Sequence, residues 1–193
     1  MKVAGNGQAK ILNSEELRLL FDKGLTNPRD CPNGQYAARN RALFAICLFT
    51  GCRVSEALGL QTTDIKSGTL TFRKSTTKGK LKTRVVDIQP ALAEFLDAYT
   101  PKPGPMFPGK RGVTERLTRY AADKILREAA KRVGLEGVST HSFRRTALNQ
   151  MSSAGIPLRH IQEISGHNDL GTLQRYLEVS PEQRRKATSV IGF

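Results

Sequence analysis

The sequence has no tryptophan, little aromatic content (6%) and only three cysteines in 193 residues. Cys31, Cys47 and Cys52 are odd in number and show no Cys-x-x-Cys spacing, so neither a disulfide framework nor a zinc site is supported. His141, His160 and His167 lack metal-ligand spacing with any cysteine pair. No stretch approaches the ~20 apolar residues that a membrane-crossing helix needs. The longest apolar-rich run, residues 42–49, makes about two helical turns. The opening MKVAGNGQAK has no apolar core of a signal peptide. Acidic residues are scarce as well: 17 Asp and Glu stand against 31 Lys and Arg, a net charge of +14. Such an excess points to a polyanionic partner, nucleic acid before an anionic surface, rather than to solubility alone. With 38% hydrophobic and 25% charged residues the chain reads as a folded, reduced, intracellular protein of one domain.

Local patterns give a mainly helical chain with one small antiparallel sheet. Residues 1–12 carry little pattern and read as a mobile lead-in. Asn13-Ser14-Glu15-Glu16 before Leu17, Leu19, Leu20 and Phe21 is a capped helix start. Residues 36–50 form a strong helix stopped by Gly51, and Arg53 opens a short one. The period then changes to two in residues 69–73 and 84–88, a hairpin with a long basic turn. Pro90 starts a further helix, and residues 99–112, with four prolines and three glycines, read as loop. Beyond Val113 everything reads as helix: residues 113–133, 141–154, 157–165, 172–177 and 181–190.

Three fragments carry candidate chemistry. Arg53 follows a helix-ending glycine and opens a helix, a good place to hold a phosphate. Alone, it reads rather as a partner of Glu56 at i, i+3. In His141-Ser-Phe-Arg144-Arg145 the His and Arg share a helix face, a proton-transferring group beside a charged fork. Alone, that spacing is more often structural. In Ser165-Gly166-His167, with Tyr176 nine residues after the histidine, each residue alone has a bland reading, a turn and a core phenol.

Their order changes the weighing. TGCRVSEALGL at 50–60, the lysine of TTKGKLKTRVVDI at 76–88, THSFRRTALNQM at 140–151 and ISGHNDLGTLQRYLEV at 164–179 together resemble the tyrosine recombinase (phage integrase) family. The resemblance runs from about residue 13 to 190. It implies an α+β fold, mainly α with a small antiparallel β-sheet, like that family's catalytic domain. Arg53 and Arg144 would bind the non-bridging oxygens of a scissile phosphate. His141 would assist proton transfer, and His167 would hydrogen-bond the phosphate or the attacking oxygen. Lys78, with Lys80 in reserve, would protonate the leaving 5′ oxygen, and Tyr176 would be the nucleophile. Glu56 would support Arg53.

The implied activity is site-specific DNA recombination or integration through a 3′-phosphotyrosine intermediate, in a phage or mobile-element setting. It needs no metal, cofactor or ATP. Fixed cations can stabilise the extra charge of a phosphodiester transition state, and the covalent link stores the bond energy for rejoining. Double-stranded DNA is the implied partner, with a homotetramer on it and room for an accessory protein, and the implied place is the cytoplasm, at the nucleoid. The alternatives are a type IB topoisomerase-like nicking-resealing enzyme and a catalytically silent DNA-binding module. Residues 13–193 are expected to be the catalytic domain, without the separate N-terminal helical domain usual in the family. The tail from Pro181 to Ile191 reads either as a helix passed to a neighbouring subunit or as one packed on its own domain.

Overall fold

Helix α2 (Gln35–Thr50) is buried along the whole of 42–48, so other elements must surround it. The computed structural model describes residues 9–26, 35–76, 82–109, 112–179 and 181–192. In it α4 (Pro90–Asp97) and α6 (Thr140–Ser153) pack on α2. Phe143 of α6 stacks on Phe44 at 5.2 Å between ring centroids and meets Phe21 edge-on at 5.9 Å. The residue between His141 and Arg144 that faces the core therefore fixes the rotation of that helix.

The first helix, α1 (Ser14–Leu19), starts where the sequence places it. Asn13 Oδ1 accepts the Glu16 amide at 2.8 Å, and Glu16 Oε2 accepts the Asn13 amide at 3.1 Å. A π-helical turn, Leu20–Gly24, follows and carries Leu20 and Phe21 into the core. The lead-in differs from expectation where it is described. Leu12 is buried, and its amide donates to Thr146 Oγ1 at 2.9 Å. The Lys10 amide reaches the Gly137 carbonyl at 3.3 Å, and Arg145 Nη1 donates to the Ala9 carbonyl at 2.6 Å. Residues 9–12 are thus fastened to α6 and its approach; residues 1–8 lie outside the described residues.

The sheet is antiparallel, in the order β1 (Ile65–Lys66), β2 (Thr69–Phe72), β3 (Arg84–Asp87). Strands β2 and β3 are the expected hairpin, with Phe72 opposite Arg84 and Leu70 opposite Val86. Its turn, residues 77–81 with Lys78 and Lys80, lies outside the described residues. Arg84 sits on the inner face at a position where alternation calls for an apolar residue.

Two boundaries differ from the sequence reading. Residues 113–133 are not one helix: β5 (Gly112–Arg116) pairs antiparallel with β4 (Pro108–Gly109), a strand inside the expected loop. Helix α5 (Arg119–Arg132) begins only after Thr118, whose side chain accepts the Ala121 amide. The segment Val113-Thr-Glu-Arg-Leu117 fits either period, and backbone pairing decides it, as in the 2.7 Å bond from Leu117 N to Phe107 O.

The C-terminal part runs through α7 (Leu158–Ser165), α8 (Leu170–Gln174) and α9 (Pro181–Ser189). A second apolar cluster, Leu148, Ile161 and Leu173, receives Tyr176 and Leu177. Tyr176 was expected on a helix and instead lies just beyond the end of α8. Helix α9 buries none of its residues. No helix among the described residues is long and apolar enough to cross a membrane.

Candidate active site

The tight turn at Gly51 (φ +61°) joins α2 to the four-residue α3 (Val54–Ala57) and puts Arg53 at the N-cap. Glu56 holds it there: its Oε2 accepts the Arg53 amide at 3.1 Å and its Oε1 pairs with Arg53 Nη1 at 3.2 Å. The same carboxylate takes Arg84 Nη2 at 3.1 Å. Glu56 is 1% exposed, so two guanidiniums share one buried anion.

Arg144 is 1% exposed as well. Its Nη1 donates to the carbonyls of Gly51 at 2.5 Å and Ser165 at 2.9 Å, and its Nη2 lies 2.9 Å from His167 Nε2. Ser165 Oγ donates to the Ile161 carbonyl at 2.6 Å, so at 2.8 Å from His167 Nδ1 it must accept. That places the His167 proton on Nδ1, and Arg144 Nη2, 2.9 Å from Nε2 and 3.2 Å from Nδ1, lies against both ring nitrogens.

Burial, and then Arg144, Arg53 and Arg84, push the His167 pKa down to about 3. This imidazole is neutral at physiological pH. His141 opens α6 at the exposed rim of the site; partial burial of its ring, and then Arg119, Arg144 and Arg53, lower its pKa too. Burial and Arg53 bring Arg144 down to about 10, which leaves it charged at neutral pH.

Tyr176 completes the group. Its ring centroid is 5.2 Å from that of His167 and 5.8 Å from Arg144 Cζ. The structure therefore brings Arg53, His141, Arg144, His167 and Tyr176 to one place. Lys78 lies outside the described residues, but Lys82, at the end of its turn, lines a cleft of about 460 Å³ with Arg84 and His167. His141 and Tyr176 line another cleft, of about 470 Å³. Among the described residues the Nε atoms of Arg84 and Arg144 have no hydrogen-bond partner. The partly exposed Arg53 and the exposed His141 are the groups of this cationic pocket that are open to a phosphate oxygen.

The sequence reading missed three groups. Arg84 lies 4.2 Å from the Phe72 ring centroid and under Gly166, where an added Cβ would fall 2.3 Å from Arg84 Nη1. Its signal was a charge on the inward face of an alternating strand. Ser165, which orients His167, and Asn149, whose partners are backbone atoms, gave no signal distinct from ordinary polar residues.

The comparisons with known proteins bear on the family and the fold. A family model described as the phage integrase family matches residues 11–183. The tyrosine recombinase XerC of Rhodospirillum centenum is 34% identical over 152 residues, 75% of this chain and 43% of that protein. The tyrosine recombinase XerD of Mycobacterium tuberculosis is 33% identical over 185 residues, 89% of this chain and 57% of that protein. The chain spans about half the length of these curated relatives. Among solved structures, the XerH site-specific recombinase bound to palindromic difH substrate in a post-cleavage complex matches with a TM-score of 0.73 at 25% identity, over 98% of this chain and 55% of that one. The XerA recombinase, at 20% identity, shares the fold with a TM-score of 0.75 over 97% of this chain and 65% of that one. Fold, ordered side chains and sequence agree, and the chain belongs to the phage integrase, or tyrosine recombinase, family.

Proposed function

We propose that residues 13–193 are the strand-cleaving domain of a site-specific DNA recombinase, which cuts and rejoins double-stranded DNA through a 3′-phosphotyrosine link. The observation that carries this reading is the convergence of Tyr176 with Arg144 and His167 within 6 Å in a cationic pocket. Tyr176 Oη attacks the scissile phosphorus and the bond to the 5′ oxygen breaks. Arg53 and Arg144 balance the charge that grows on the non-bridging oxygens. Their positions are preorganised, because Glu56 and the carbonyls of Gly51 and Ser165 hold them before DNA arrives.

Neutral His167 and His141 are hydrogen-bonding groups in the free protein. The negative charge of a bound phosphate raises the proton affinity of His141, which suits the uptake of the Tyr176 proton, while His167 keeps its hydrogen-bonding role. Lys78 supplies a proton to the leaving oxygen, with Lys80 as the alternative; the support is the sequence and the place of Lys82 in the His167 cleft. A 5′ hydroxyl from a second strand then reverses the step, and neither ATP nor a metal enters it.

The partner is double-stranded DNA, and the working assembly is a homotetramer on it. Helix α9, with no buried residue and with Val190 and Ile191 80% exposed beyond it, supports a tail that docks on another subunit. The test is covalent trapping with a pool of nicked duplexes of randomised sequence, in EDTA, followed by detergent denaturation and mass spectrometry. The expected adduct is on Tyr176 and is lost in Tyr176→Phe, while DNA affinity stays. The trapped DNA assigns the biological setting, phage, mobile element or chromosome. DNA binding without an adduct on Tyr176 overturns the reading in favour of a silent binding module.

A further inference from the structure

We propose that Asn149 is a positioning residue that sets where Tyr176 stands; this rests on the reading of Tyr176 as the nucleophile. Tyr176 lies beyond the last turn of α8, in a stretch of irregular backbone that runs to Val179. The amides of Tyr176 and Leu177 turn back to the carbonyls of Leu173 and Gln174 at 2.9 and 3.0 Å. The Tyr176 carbonyl and the Glu178 amide find their partner elsewhere, and both find the same one. Asn149 Nδ2 donates to the Tyr176 carbonyl at 2.7 Å, and its Oδ1 accepts the Glu178 amide at 2.8 Å.

Asn149 itself is held. It is 8% exposed, and its Nδ2 also donates to the Arg145 carbonyl at 2.9 Å, one turn back along α6. A carboxamide is the side-chain head that offers donor and acceptor in one plane, so it grips an extended chain as a neighbouring strand would. The consequence is mechanical. Helix α6 carries His141 and Arg144 towards the phosphate and, through Asn149, carries the backbone of Tyr176. One rigid element therefore fixes both the phosphate pocket and the pivot about which the phenol swings. A misplacement of about 1 Å between reacting groups costs ~10²-fold in rate, so a grip on the nucleophile's own carbonyl matters more than its modest stabilisation. Arg145 adds a second hold on the same segment through the Glu178 carboxylate at 2.5 Å.

The test compares Asn149→Ala and Asn149→Asp with wild type and Tyr176→Phe on one nicked duplex, with two nucleophiles. The first is Tyr176, read as the covalent adduct in single turnover. The second is added hydrogen peroxide, whose anion attacks the same phosphorus while the 5′ oxygen leaves with its proton, giving a 3′-peroxyphosphate end and no adduct. Asn149→Ala is expected to lose adduct formation by ~10²-fold, to keep wild-type DNA affinity, and to keep peroxide cleavage at the Tyr176→Phe level. Asn149→Asp, which sets a carboxylate oxygen against the Tyr176 and Arg145 carbonyls, is expected to lose at least as much.

Amide hydrogen exchange in the peptide around 174–179 is expected to quicken in Asn149→Ala, and this readout needs no cleavage. Adduct formation at the wild-type rate overturns the proposal. So does a parallel loss of peroxide cleavage, which means that the phosphate pocket itself has gone, and so does unchanged exchange. If Tyr176→Phe still forms the adduct, the failure is that of the nucleophile assignment, and Asn149 has nothing to position.

Discussion

Arg144 Nη2 and His167 Nε2 are 2.9 Å apart in a pocket that hides both residues from solvent. The guanidinium has a fork to spend, and it spends Nη1 on two backbone carbonyls, those of Gly51 and Ser165. Arg144 thus ties the turn before α3 to the end of α7, and it presents a charge that a neutral imidazole cannot discharge. On the proposed function, the third party that meets this charge is the scissile phosphate.

Arg144→Ala and Arg144→Lys separate the two duties of this residue. Both variants lose the fork, but lysine keeps a point charge. Single-turnover adduct formation is expected to fall by ~10²-fold or more in Arg144→Ala, the scale seen when one donor to a transition state is removed. Arg144→Lys recovers part of the rate and little of the stability, because the Gly51 and Ser165 carbonyls each lose a partner at about 1–3 kcal/mol. An Arg144→Ala protein that forms the adduct at the wild-type rate removes this residue from the reaction.

His167 makes stability depend on pH in a window set by two values. Its ordinary pKa is 6.5 and in the fold it is about 3. Between them the unfolded chain binds a proton at this residue that the native chain does not, so native stability rises with pH across the window. The contribution is complete above 6.5 and is lost progressively as pH falls towards 3. Urea unfolding from neutral pH down to about pH 4 is expected to show a steeper loss in wild type than in His167→Gln, whose side chain does not titrate there. Parallel curves overturn this account of His167, since the carboxylates titrate alike in both proteins.

Much of the fold was legible because local chemistry agreed with it. Asn13 and Glu16 cap the helix that their spacing announces, Pro90 stands at the start of α4, and Gly51 and Gly166 supply the positive φ that ends α2 and α7. The grouping of Arg53, His141, Arg144, His167 and Tyr176 was legible too, through the order of the fragments that resemble the family, and the structure brings these residues together. The missing parts rest on non-local pairing. Val113-Thr-Glu-Arg fits a helix or a strand until Pro108 and Gly109 come alongside. Arg84 shows in the sequence only as a charge on the inward face of a strand, and its partner Glu56 lies 28 residues earlier. Asn149 looks like any polar helix residue, because the groups it holds are backbone atoms 27 and 29 positions away.

Glu56 offers the sharpest test of how the pocket is held. Its carboxylate is 1% exposed and pairs with Arg53 at 3.2 Å and Arg84 at 3.1 Å. Removing the charge leaves the buried Arg84 guanidinium and the partly buried Arg53 guanidinium beside each other and beside Arg144, whose pKa Arg53 already lowers. Breaking a buried ion pair from one side costs about 3–5 kcal/mol, against under about 1 kcal/mol for an exposed one. Glu56→Gln keeps the shape and loses only the charge, so urea unfolding is expected to show a loss in the upper range. Glu128→Gln, at the exposed pair with Lys124, is the matched control and should change little. The same Glu56→Gln protein should cleave slowly, because Arg53 loses the anion that aims it, and a saturating phosphate buffer should return part of its stability by standing between the guanidiniums. A Glu56→Gln protein as stable as Glu128→Gln would mean that the two arginines are held by packing, with Phe72 and Gly166 rather than Glu56 fixing Arg84.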